Sequence, residues 1–271
     1  MRRIATMCLK GGSSKTTTTT ALAVGLAGLG HRVLCLDADP QGNASWTLLG
    51  GQGAEGATLA DVLMRRADVE DAILPTRVEG LDLLPADATL GGVNVALAQE
   101  LGRDTRLRST LARLEGRYDY VLADTGPQLS TVLANVMVWA DEVIAPVDPG
   151  VYAILGLREL MDTLAEVREA YGATVHLAGL VVTRTQRTSV ARDVEAELRA
   201  RFGDLVFKAT VPLSSLVEAA HTRGLTIMEH ARLSPAALAY ERLVTEVVDH
   251  GRAKERGGVQ AGRGPGAIDA A

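Results

Sequence analysis

The chain has 271 residues, 47% of them hydrophobic and 23% charged, which is enough apolar material for a real core and too ordinary a charge content for a disordered chain. The formal net charge of −5 excludes a protein coated in positive charge, while leaving room for a local basic face. The apolar run after Met1-Arg2-Arg3 stops at Lys10, too early for a secretory leader, and no stretch approaches the roughly 20 apolar residues that cross a bilayer, so a soluble cytoplasmic protein without membrane contact is expected.

The first predicted strand, 4–9, runs into Lys10-Gly11-Gly12-Ser13-Ser14-Lys15-Thr16-Thr17 and then into a helical pattern over 17–29. Strand, glycine-rich turn and helix start form a phosphate-binding arrangement, because the first N–H groups of a helix have no internal partner and the helix dipole favours an anion there. Lys15 is expected on the β- and γ-phosphates, and the Thr16 hydroxyl on Mg²⁺. The run 16–20 is all threonine, a poor choice for a purely structural helix start, since β-branched residues lose side-chain freedom there. Ser14 occupies the position before the lysine where such loops usually carry glycine. If that position needs a positive φ, its side chain costs about 1–2 kcal/mol.

The second strand, 33–37, is apolar and delivers Asp37 and Asp39 to its end, followed by Pro40-Gln41-Gly42-Asn43. Two carboxylates at the carboxyl end of a buried strand lie where open α/β folds bind ligands. A further strand is predicted at 81–85 and a helix at 105–114. The strand 120–124 ends in Asp124, followed by Thr125-Gly126-Pro127, and a helix is expected over 129–139. Strands 143–146, 177–183 and 206–211 alternate with helices 155–171, 190–202 and 235–248. Apolar strands without alternation suit a sheet buried on both faces, so the expectation is an α/β, doubly wound, mostly parallel sheet with helices on both faces. One domain over residues 1–250 is expected, with a glycine-rich, disordered tail at 251–271.

Three motifs in this order, Lys10-Gly11-Gly12 with Lys15-Thr16, Asp37-Ala38-Asp39-Pro40-Gln41-Gly42-Asn43, and the apolar strand ending in Asp124, resemble the ParA/MinD ATPases with a deviant Walker A loop. The resemblance covers about residues 3–248, favours ParA over MinD, and fits the small form without an N-terminal helix-turn-helix domain. It implies a P-loop NTPase using ATP and Mg²⁺ that is a homodimer when ATP-bound, with Lys10 reaching the partner's phosphates. It implies nucleotide contacts from Lys10 through Thr17 (Gly11, Gly12, Ser13 and Ser14 included), with Lys10, Lys15 and Asp39 catalytic. Asp39 would orient the attacking water, Asp37 would support a water on Mg²⁺, and the metal set would be Thr16, Asp37, Asp39 and Asp124. It further implies non-specific binding to double-stranded DNA on the nucleoid, for which Arg184, Arg187, Arg192 and Arg223 are the candidates, and a ParB-like centromere-binding protein that stimulates hydrolysis. A protein cargo, or a regulatory module with little hydrolysis, are the other readings of the same motifs. Gly126 departs from the family's usual proline. Cys8 and Cys35 read as two buried thiols, and His221 and His230 as structural or exposed.

Overall fold

The computed structural model describes residues 1–10, 12–150 and 152–256. Its frame is an eight-stranded sheet of β1 (Arg2–Thr6), β2 (Val33–Ala38), β3 (Leu74–Pro75), β4 (Leu81–Leu84), β5 (Tyr120–Thr125), β6 (Glu142–Val147), β7 (His176–Thr185) and β8 (Val206–Pro212), in the order β3-β4-β2-β5-β1-β6-β7-β8. All neighbours are parallel except the short edge pair β3 and β4. Every predicted strand is present. The first is shifted: β1 ends at Thr6, and the last ladder contact is Met7 N donating to Ile144 O at 3.1 Å, after which the backbone leaves the sheet. The antiparallel β3 carries no alternation or length by which sequence could mark it.

The helices are α1 (Lys15–Gly28), α2 (Asn43–Leu48), α3 (Leu59–Leu63), α4 (Val69–Ala72), α5 (Val93–Ala96), α6 (Arg106–Leu111), α7 (Thr131–Trp139), α8 (Ala153–Tyr171), α9 (Ser189–Phe202), α10 (Ser215–Thr222), α11 (Ile227–His230) and α12 (Pro235–Arg256). The helix expected over 105–114 is one α segment flanked by 3-10 turns. The closing helix runs to Arg256, so the expected boundary at 250 falls inside it; residues 257–271 of the expected tail lie outside the described residues.

Alternate residues of each strand feed two cores, one on each face. Leu34 and Leu36 of β2 pack with Leu63 of α3, Leu133 and Trp139 of α7, and Leu160 of α8. Val33 and Cys35 pack on the other face with Leu22 and Leu26 of α1 and Tyr240 and Leu243 of α12. This is the doubly wound arrangement expected, and burial on both faces is why the strands read as unbroken apolar runs. The edge strand β8 is closed by a side chain: Glu246 of α12 accepts from the N–H groups of Lys208 and Ala209 at 2.8 and 2.7 Å, which blocks pairing with another chain. β1 lies between β5 and β6, where the strand order reverses, and its carboxyl end opens into the crevice that binds ligands in such sheets.

Candidate functional site

The loop after β1 is built around two left-handed residues, Gly12 at φ +73° and Ser14 at φ +64°, ψ +24°. Ser14 therefore does occupy the strained conformation that glycine would take freely. It also stands at the cap position of α1 without a side-chain capping bond, so the first turn of that helix keeps its N–H groups for something else. The two lysines of the loop differ. Lys15 is buried, with Nζ 3.4 Å from Lys10 O, a carbonyl that also accepts from Ser13 Oγ at 3.1 Å. Lys10 is exposed. One cation is thus aimed into the loop, and the other stands outside it.

The acids come together through strand register. Asp37 of β2 pairs with Asp124 of β5, which in turn pairs with Thr6 of β1. Both carboxylates are fully buried. Asp124 accepts from Thr16 Oγ1 at 2.6 Å and Thr19 Oγ1 at 3.1 Å. Asp37 accepts from the N–H and hydroxyl of Ser45, at 2.8 and 2.7 Å, and from Asp39 N at 3.2 Å. Burial pushes Asp124 up to about 8, the Asp37 carboxylate adds to that, and the Thr16 and Thr19 hydroxyls hold it back. Burial likewise pushes Asp37 up to about 6, against the bonds from Ser45. Asp39 is also buried, at 8% exposure, its Oδ1 accepting from Gln41 N at 3.0 Å. Gly126 lies beside it, and a Cβ there would meet the Asp39 carboxylate at 3.6 Å, an ordinary contact.

Two buried acids without a cation among the described residues make a site that a positive charge would stabilise. Among the described residues no group of three His, Cys, Asp or Glu side chains can hold a metal alone. The donors present are a carboxylate, the Thr16 hydroxyl and the buried, unbonded Thr6 hydroxyl beside Asp124. An all-oxygen set with few protein ligands fits Mg²⁺, which keeps waters and takes phosphate oxygens as ligands.

The threonine run resolves into separate jobs. Thr16 and Thr19 bond Asp124, whereas Thr18 Oγ1 lies 3.3 Å from Tyr240 OH and Thr20 donates to Thr16 O at 2.8 Å. Thr17 Oγ1 lies 3.5 Å from His221 Nε2, so His221 is a partner of the loop helix. Sequence reasoning missed Ser45 and Trp46, which stand in no motif and are placed only by the fold, and it missed that Thr19 of the threonine run is a partner of the acid. Cys35 is buried as expected, but Cys8, at the start of the loop, is only half-buried, because the chain leaves the sheet there.

The arginines divide. Arg184, Arg187 and Arg192 share the β7–α9 corner. Arg184 has φ +55° and lies 3.4 Å from Asp148, whereas Arg187 and Arg192 are exposed. Arg223 is apart from them, at the far end of α10, with Nη1 3.4 Å from His230 Nδ1. Arg199 and Arg201 pair with Glu195 and Glu197 one turn away, as a solvated helix face does. Among the described residues no helix is long and apolar enough to cross a membrane.

Residues 1–177 match the family model of an AAA domain. The chain is 39% identical to the chromosome partitioning protein ParA of Caulobacter vibrioides over 258 residues, 94% of this chain and 97% of that one. It is 43% identical to the chromosome-partitioning ATPase Soj of Thermus thermophilus over 249 residues, 92% and 96% of the two chains. The cobyrinic acid a,c-diamide synthase of Mycobacterium smegmatis, solved with a bound ATP analog and magnesium, superposes with a TM-score of 0.78 at 28% identity, over 93% of this chain and 96% of that one. Matching the motifs, the doubly wound sheet and these relatives along nearly its whole length, the chain belongs to the ParA/Soj family of partition ATPases.

Proposed function

We propose that this chain is an ATP-hydrolysing switch for DNA partition, and that the phosphate loop with its adjoining carboxylates is its engine. The observation that carries this is the contrast within one loop: a buried Lys15, a Thr16 hydroxyl 2.6 Å from a fully buried Asp124, and an exposed Lys10. Lys15 and the N–H groups at the start of α1 bind the β- and γ-phosphates of ATP. Thr16 and Asp124 hold Mg²⁺, which when bound neutralises charge on those phosphates. Asp39, just beyond the end of β2, orients the attacking water, and Asp37 steadies the metal's water shell. Lys10, exposed at the start of the loop, is free to reach the phosphates of a second copy, so that ATP closes a homodimer. Catalysis of this kind is positioning and charge stabilisation, and turnover is slow until a ParB-like partner completes the site.

In the ATP state the dimer binds double-stranded DNA through phosphate contacts from Arg187 and Arg192, with Arg184 and Arg223 adding charge, and so resides on the nucleoid. Retention on non-specific duplex DNA at fixed salt, with ATP, ADP or no nucleotide, tests the switch. Retention with ATP alone supports it; equal or absent retention in all three states overturns the DNA scaffold and leaves a protein cargo. Turnover tests the engine: Asp39→Ala should lower the hydrolysis rate at least about 100-fold, and equal rates would leave a regulatory module that hardly hydrolyses ATP.

A further inference from the structure

The short helix α2 follows the segment 37–39 directly and carries Ser45, whose two bonds fix Asp37. On its other side α2 is clasped to an arm made of α10 and α11. Trp46 Nε1 donates to His221 O at 2.9 Å. Arg77 donates through Nη1 to the carbonyls of Thr47 and Leu48, at 3.0 Å each, which are carbonyls that the end of a helix leaves unbonded. The same guanidinium forms a forked pair with Glu229 of α11, its Nε and Nη2 at 2.9 Å from the two carboxylate oxygens. Glu229 is in turn fixed by a capping box with Thr226. Gly224, in the turn between α10 and α11, presses on Gly50 and Gly51, and a Cβ there would fall 2.0 Å from Gly51 N. The arm also touches the loop helix through His221 and Thr17.

We propose that Arg77 is a positioning residue that joins α2 to the α10–α11 arm, so that a change in segment 37–39 on nucleotide binding is carried to the arm's outer surface, where Leu216 and Arg223 are exposed. A forked guanidinium holding two carbonyls and a carboxylate is a rigid joint, which a lysine in its place would not reproduce. The inference rests on the nucleotide site described above. It makes residues 216–230 a segment whose order follows the nucleotide state through this joint.

The test is amide hydrogen exchange of the full chain without nucleotide, with Mg²⁺ and ADP, and with Mg²⁺ and ATP. Wild type, Arg77→Ala, Arg77→Lys and Trp46→Phe are compared at nucleotide saturation set by a separate binding titration. In the wild type, nucleotide should slow exchange both in 39–48 and in 216–230. In Arg77→Ala the response of 39–48 should persist and that of 216–230 should be lost, with Arg77→Lys restoring only part of it. If Arg77→Ala is already unprotected across the arm without nucleotide, Trp46→Phe, which deletes the Nε1 donor and keeps a smaller aromatic side chain, serves instead and should weaken the arm's response. Saturable nucleotide binding with an arm that does not respond in the wild type overturns the joint and leaves the nucleotide site standing. A response that survives in both Arg77→Ala and Trp46→Phe also overturns it. Failure of the wild type to bind nucleotide overturns the site itself.

Discussion

The two edges of the sheet handle charge in opposite ways. At the amino ends of the strands three acids each have a cation: Arg2 forks onto Glu142 at 2.7 and 3.3 Å, Arg3 onto Asp141 at 2.6 and 2.7 Å, and Arg32 onto Asp119 at 2.7 and 3.3 Å. Asp119, bonded by the Arg32 side chain and N–H, is held down to about 2. At the carboxyl ends, Asp124 and Asp37 are more deeply buried, have only hydroxyl and N–H donors among the described residues, and are pushed up to about 8 and 6. The first edge is finished by the fold. The second, among the described residues, has no such cation, and perturbed buried acids of this kind are the pattern expected at a functional site.

The comparison breaks most sharply at Asp124. Asp124→Asn removes the cost of burying an ionisable carboxyl and keeps an oxygen for one of Thr16 and Thr19, which bond separate carboxylate oxygens, so at neutral pH the nucleotide-free protein should melt a few degrees higher. Hydrolysis should fall at least about 100-fold. A variant that melts lower and still turns over would show that the carboxylate is structural. At the other edge, Glu142→Ala strands the Arg2 guanidinium, which also bonds Val247 O at 2.8 Å and lies over the Tyr120 ring. Urea unfolding should report a loss of about 1–3 kcal/mol, with nucleotide affinity unchanged.

A smaller effect belongs to Ser14. Ser14→Gly removes left-handed strain but frees the unfolded chain, a net gain of about 0.5–1 kcal/mol by denaturant unfolding. No gain would mean that the serine side chain recovers the strain in the folded loop. The smallest effect is at Asp119, because that pair is largely exposed. Its carboxylate is held below its ordinary value, so its contribution is present above the unfolded value of about 3.9 and fades as pH falls through 2. Asp119→Asn should therefore melt slightly lower than wild type at pH 6 and draw level with it in strong acid.

Much of this was legible in sequence because buried parallel strands carry a periodicity of their own. The seven apolar runs are seven of the eight strands, and Lys15, Asp37 and Asp124 stand at strand ends or in the loop as their motifs imply. The strain at Ser14 was readable from one substitution in a loop of known geometry. What escaped was decided by tertiary contact. α2, α10 and α11 are too short to show a helical period, and their places are set by Ser45 on Asp37, Trp46 on His221 and Arg77 on Glu229, pairs separated by 8, 175 and 152 residues. Arg223 read as one of four like arginines, yet it lies at the far end of α10 from the other three, a separation only the arm's path reveals.

The most direct measurement is a calorimetric titration of ATP, with and without Mg²⁺, into the wild type and Lys15→Ala. Saturable, Mg²⁺-enhanced binding to the wild type that is lost in the variant is the expected result. Equal binding to both proteins would contradict the assignment of the unfinished edge as the nucleotide site.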